Sequence, residues 1–100
     1  VKELIDRLNK AFENRVRLGI MSVLMVNDSV DFLVLKELLD VTDGNLASHI
    51  SALEKLDFIA VKKEFAGKKT RTSFMVTSLG RKEFNYHLNA LEKLVKKNKQ

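Results

Sequence analysis

The hydrophobic period of this chain changes twice, and no other feature restricts its fold as much. From Leu4 to Leu56, apart from one short stretch at "SVDF" (29–32), apolar residues recur at the three- and four-residue spacing of amphipathic helices. After Leu56 the period drops to two. The stretches "FIAVKKEF" (58–65) and "RTSFMVT" (71–77) alternate, are rich in β-branched and aromatic residues, and flank the glycine-bearing "AGKKT" (66–70). Helical spacing resumes at Ser78. One such interruption in 100 residues leaves room for a single hairpin set among helices. The fold class is therefore mainly α with a small β-hairpin.

The helices can be placed by their stripes and caps. Leu4, Ile5 and Leu8 mark a helix over 2–10. Val16, Ile20, Val23 and Leu24, widened by Leu18, Met21 and Met25, mark one over about 13–26. "NDS" (27–29) is a turn, and "SVDF" suits one short strand. Asp31 stands where it can cap a helix over 32–39 with Phe32, Leu35, Leu38 and Leu39 inward. "DVTDGN" (40–45) breaks that helix, and the next runs from about 44 to 56. Two helices separated by so short a break have the dimensions of a helix-turn-helix. In the hairpin, Ile59, Val61, Phe74 and Val76 point inward. Thr77 can cap a last helix over 78–97 whose main stripe is Phe84, Leu88, Leu91 and Val95. That stripe suits packing within the chain or pairing with a second copy.

Composition removes several function classes. The chain has no cysteine, which rules out disulfides and thiolate metal sites. No stretch approaches the ~20 apolar residues of a membrane span, and no secretory signal is evident at the start. His49 and His87 lie far apart in sequence with no cysteine beside them. His49 is expected to pack or bond phosphate, and His87 to face solvent or a partner. No nucleophile–base pair, phosphate loop or paired carboxylate is recognisable, so neither an enzyme nor a cofactor is expected. A small-molecule effector would need an apolar pocket. Phe12, Met21 and Met25 could line one, though the same residues serve as core.

The order helix, helix, short strand, helix-turn-helix, hairpin, long helix resembles the winged-helix DNA-binding domains of bacterial and archaeal transcriptional regulators, in the MarR-like and ArsR-like group. The resemblance rests on "DF" (31–32), "KELLDVTDGNLASHISALEKLDFIAVKK" (36–63), "GKKTRTSF" (67–74) and "VTSLGRKEF" (76–84). It implies one winged-helix domain over 1–100, with the helix-turn-helix at 32–56, the wing at 58–77 and the C-terminal helix at 78–97. It further implies a cytoplasmic prokaryotic protein, at the nucleoid when bound. Its partner would be double-stranded DNA, read by a homodimer joined through long helices at 2–10 and 78–97. Asp57 stands where a glycine usually follows the recognition helix, and Ala47 and Ser48 stand where relatives often carry serine and arginine.

The residues of the candidate site divide the work. On a helical wheel Leu46, Ile50, Leu53 and Leu56 share one side of helix 44–56. Asn45, Ser48, Ser51, Ala52 and Lys55 share the other, with His49 at the border. Asn can bond an adenine edge, Ser several bases, and Ala a thymine methyl. Thr42 and the helix start suit a phosphate. The charge lies elsewhere. Residues 58–83 hold seven cations and two carboxylates, a net +5, equal to the whole chain, whereas residues 28–43 carry one lysine and five carboxylates, a net −4. Lys68, Lys69 and Arg71 at the hairpin tip suit phosphates, and the tip can place one side chain in the minor groove. The DNA-binding set is thus Thr42, Asn45, Ser48, His49, Ser51, Lys55, Lys68, Lys69 and Arg71. The alternative is a winged helix that binds another protein and never touches DNA, which the uncharged helix face also suits.

Overall fold

The computed structural model describes residues 1–98. In chain order it comprises α1 (Lys2–Asp6), a 3-10 turn (Lys10–Phe12), α2 (Arg15–Met25), β1 (Val30–Asp31), α3 (Phe32–Leu39), α4 (Asp43–Lys55), β2 (Ile59–Ala66), β3 (Lys69–Val76) and α5 (Ser78–Lys97). The sheet is antiparallel in the order β1-β3-β2. Mainly α with one small sheet is what the period change implies.

Each boundary has a local cause. Asn14 starts α2 by accepting the amides of Val16 and Arg17 at 2.9 and 3.0 Å. α3 ends at Asp40, whose φ of 51° turns the chain left-handed. α4 ends in a Schellman motif. Asp57 takes a φ of 61°, its amide donates to Glu54, and the Phe58 amide reaches back to the Leu53 carbonyl at 3.0 Å. An aspartate does here what glycine does more cheaply. The hairpin turn is tighter than "AGKKT" suggests. Gly67, at φ 69°, lets Ala66 pair with Lys69, so only Gly67 and Lys68 make the turn.

The core is one cluster of side chains from every layer: Phe12, Ile20, Met21, Leu24, Leu35, Leu46, Ile50, Leu53, Phe58, Ile59, Phe74 and Phe84 among them. Phe12 is its aromatic centre. It lies 5.0 Å from Phe84, edge to face, 5.3 Å from Phe58 and 5.4 Å from the His87 ring. Phe12 and Met21 are thus fully packed, and the pocket they could have lined is filled by core.

Four expectations are corrected. The N-terminal helix is not the long element of 2–10; it stops at Asp6. Asn9 is extended and caps the following 3-10 turn by accepting the Ala11 amide at 2.9 Å, so the helix cannot run through it. Leu38 does not face inward and is 62% exposed, because Leu35 and Leu39 already fill the inner side of α3. Asp31 occupies the N-cap of α3 but its side chain makes no capping bond there. The α5 stripe could pack within the chain or pair with a second copy, and of it only Phe84 packs within the chain. The buried side of α5 is Gly80, Phe84, His87 and Ala90, leaving Leu88, Leu91 and Val95 exposed. His87 is therefore buried, only 3% exposed, and its Nδ1 accepts the Asn9 amide at 2.9 Å.

A tight junction joins the two ends of the wing. The Thr77 amide donates to the Phe58 carbonyl at 3.1 Å, the Thr77 hydroxyl donates to the Asp57 carbonyl at 2.6 Å, and its oxygen accepts the Gly80 amide at 2.9 Å. A Cβ on Gly80 would run into the Phe58 carbonyl. Replacing Gly80 by Ala should therefore cost about 3 kcal/mol in urea unfolding. Ala at Gly44, where nothing lies within 4 Å of the added carbon, should stabilise by up to about 1 kcal/mol.

His87 generates a second prediction. Burial, opposed by a weaker pull from Glu13, holds it below the usual 6.5, so the folded chain binds its proton less readily than the unfolded chain. This contribution to stability is whole above 6.5 and is lost as pH falls from there toward the lower folded value. Urea midpoints measured from about pH 7.5 to about pH 5.5 should fall in the wild type and fall less in His87→Gln.

Candidate nucleic-acid interface

α4 is held by its apolar side, and its outer side follows from that. Leu46, Ile50 and Leu53 are buried. Helical geometry then leaves Asn45, Ser48, Ser51 and Lys55 exposed, together with Ala47. Ala52, expected outward with them, is half-buried. The first turn is capped by Thr42, whose hydroxyl oxygen accepts the Asn45 amide at 3.1 Å. The Thr42 hydroxyl proton stays free to donate. Lys36, the one cation of the acidic stretch, pairs with Asp43 at 2.8 Å beside this turn. That pairing offsets the carboxylate in the first turn of α4.

His49 is half-buried and held by a residue the sequence reading passed over. Arg17 of α2 donates to the Ala11 carbonyl at 2.7 Å and lies 3.1 Å from Nδ1 of His49. Arginine only donates, so Nδ1 must accept and the ring proton sits on Nε2. Burial first, then the Arg17 charge, push His49 below 6.5, so it is a neutral donor at neutral pH. The signal in the sequence was faint: Arg17 is the one cation between Val16 and Val26.

The wing sorts its cations by what they already touch. Lys62 pairs with Glu64 at 2.7 Å, which raises the lysine's pKa and lowers the carboxylate's. Arg71 lies 3.8 Å from Asp31 of β1, so it is tethered back from the tip. Arg81 donates to the Met25 carbonyl at the end of α2. Among the described residues, Lys63, Lys68, Lys69 and Lys82 have no carboxylate within ion-pair distance. Lys68 stands in the turn itself, and Lys69 opposite Ala66. The tip also carries Phe65, exposed in water, which the sequence reading left unassigned.

The structure thus brings Thr42, Asn45, Ser48, His49 and Ser51 together on one helix. Lys68 and Lys69 lie on the adjoining hairpin. Arg71 is drawn toward Asp31 and away from the tip. Among the described residues, no group of three or more His, Asp or Glu side chains could hold a metal, and no helix is long and apolar enough to cross a membrane.

Similarity to known proteins bears on this arrangement. The winged helix DNA-binding domain family matches residues 16–95. An uncharacterized protein of Methanocaldococcus jannaschii is 33% identical over 87 residues, 87% of this chain and 95% of that protein. The solved structure of a transcriptional regulator homologue from Pyrococcus horikoshii OT3 superposes with a TM-score of 0.87 at 31% identity, covering 99% of this chain and 96% of that one. NadR, solved in complex with 4-hydroxyphenylacetate, shares the fold at a TM-score of 0.73 and 19% identity, over 95% of this chain and 67% of its own.

Replacing Thr42 by Ala should remove the α4 cap and cost about 1 kcal/mol in thermal or urea unfolding. Thr42→Ser should restore most of it.

Proposed function

This chain belongs to the winged helix DNA-binding domain family, and on that premise we propose that it is a homodimeric, sequence-specific transcriptional regulator of duplex DNA. α4 lies in the major groove and the wing on the flanking backbone and minor groove. The carrying observation is the division of charge between them: a capped helix with small neutral groups outward, beside a hairpin whose tip lysines have no carboxylate partner among the described residues. Small side chains let α4 approach base edges closely, where Asn45, Ser48 and Ser51 can bond them. Lys68 and Lys69 supply sequence-independent attraction. With no arginine on the outer face of α4, discrimination rests on these short groups and on DNA shape.

Pairing is supported by apolar side chains left in water on the two terminal helices. Ile5 of α1 and Leu88, Leu91 and Val95 of α5 are exposed, and α1 packs on α5. Covering them with a second copy would set two α4 helices on half-sites about one DNA turn, ~34 Å, apart. The five-residue α1 makes α5 the larger contributor. The same premise carries the reading of residues 1–100 as one DNA-binding domain, acting in the cytoplasm of a prokaryote with neither a cofactor nor a catalytic role. A competing reading as a protein-binding winged helix draws on Leu33 and Leu38, exposed on α3.

Binding of a labelled duplex should weaken with salt in the wild type. In the triple variant Lys68→Ala, Lys69→Ala, Arg71→Ala, affinity should drop by at least about tenfold and the log–log salt slope should fall by about 2. A loss of 2, short of the 3 that three free cations would give, reflects the Asp31 tether on Arg71. Equal affinity in the triple variant would defeat the wing's role. No duplex binding by the wild type even at low salt would favour the protein-binding reading.

A further inference from the structure

Phe65 is 83% exposed, the most exposed of the chain's large apolar side chains. It keeps phase with Ile59 and Val61, which point toward the core, but at its position β2 has run beyond the last core residue. Its cross-strand partner is Thr70, and the adjacent pair on the same face is Lys63 with Thr72. By alternation, that face of the wing tip presents a phenyl ring, two hydroxyls and an ammonium. It carries no carboxylate. The wing's acid, Glu64, lies on the opposite face with Lys62 and Arg71, where the ion pairs are. Lys68 stands at the turn beyond the ring.

An exposed ring at the end of a strand pair invites association, so its surroundings indicate what covers it. The ring stands between lysines that have no ion-pair partner among the described residues, on a face without negative charge. That suits a polyanion whose surface between the charges is apolar. The minor groove of duplex DNA is such a surface. It is about 6 Å wide, wide enough for one side chain, with deoxyribose C–H groups for walls and phosphates for rims. Minor-groove binders of other folds do insert apolar side chains, phenylalanine included, there.

We infer that Phe65 enters the minor groove flanking the site read by α4 and packs on its sugars, with Lys63 and Lys68 reaching the phosphates beside it. This rests on the DNA-binding reading above and adds an apolar contact to a wing otherwise read as electrostatic. The contact carries no charge, so it contributes affinity without contributing to the salt slope.

The test uses the full chain and a fluorescein-labelled, mixed-sequence duplex of about 30 base pairs, three helical turns, followed by anisotropy over a range of salt. Phe65→Ala should bind roughly tenfold more weakly with an unchanged salt slope and an unchanged melting temperature. The chain has no tryptophan, so Phe65→Trp adds a single indole at the tip. It should keep binding within about twofold, and its emission should move to shorter wavelength when duplex is added. Wild-type affinity in Phe65→Ala, or no emission change in Phe65→Trp, overturns the inference while leaving the DNA reading intact. Weaker binding accompanied by dissociation of the dimer in sedimentation also overturns it, assigning the ring to a protein contact. Failure of the wild type to bind the duplex at low salt removes both readings together.

Discussion

The Phe58 carbonyl is the point on which the arrangement of the site depends. It accepts the Thr77 amide, and the chain passes it so closely that position 80 has no room for a Cβ. One residue before it, Asp57 turns left-handed and closes the α4 terminus, and its carbonyl accepts the Thr77 hydroxyl. The same few atoms thus end α4, start β2, end β3 and start α5. Because the hairpin leaves and returns at this junction, its direction relative to α4 is set by short polar bonds rather than by a loop free to swing. A wing so anchored can hold its tip against a backbone while α4 holds base edges, with little ordering left to do on binding.

Around this frame the charges are sorted rather than merely abundant. A net of +5 on residues 58–83 overstates what the wing offers a polyanion. Lys62, Arg71 and Arg81 are engaged by Glu64, Asp31 and the Met25 carbonyl. Among the described residues, Lys63, Lys68 and Lys69 are the wing cations left without such partners, and they lie toward the tip. A related economy governs α4, where Lys36 meets Asp43 and Arg17 orients His49. The exposed neutral face is the side chains left over once these partnerships form.

The elements were legible because each has a short-range cause. Period marks the helices and the hairpin; Thr77 announces a helix start and makes the capping bond its position suggests, whereas the cap that Thr42 supplies to α4 came with the structure. The outward set Asn45, Ser48 and Ser51 was legible too, since burying Leu46, Ile50 and Leu53 decides it by geometry. The errors share another origin. In α5 the stripes Phe84–Leu88–Leu91–Val95 and Gly80–Phe84–His87–Ala90 both satisfy a helical period. Hydrophobicity marks the first, whose Leu88, Leu91 and Val95 stay exposed for the proposed pairing, while the chain's own core takes the second, His87 included. A hydrogen bond from Asn9, 78 residues away, makes His87 a satisfied core residue. Arg17 and Phe65 escaped for the converse reason: the one binds across 32 residues to His49, and the other sits where a core-phased strand outlasts its core.

The sequence by itself determined the kinds and order of the elements, the turns at Asp57 and Gly67, and which side of α4 stays polar. All of these follow from backbone stereochemistry and the burial of nearby apolar residues. Tertiary structure alone decided the rotation of α5, the shortness of α1, the tautomer of His49 and which wing cations remain unpaired. Each depends on a partner brought close only by folding, and no local pattern encodes a hydrogen bond or an ion pair between distant residues.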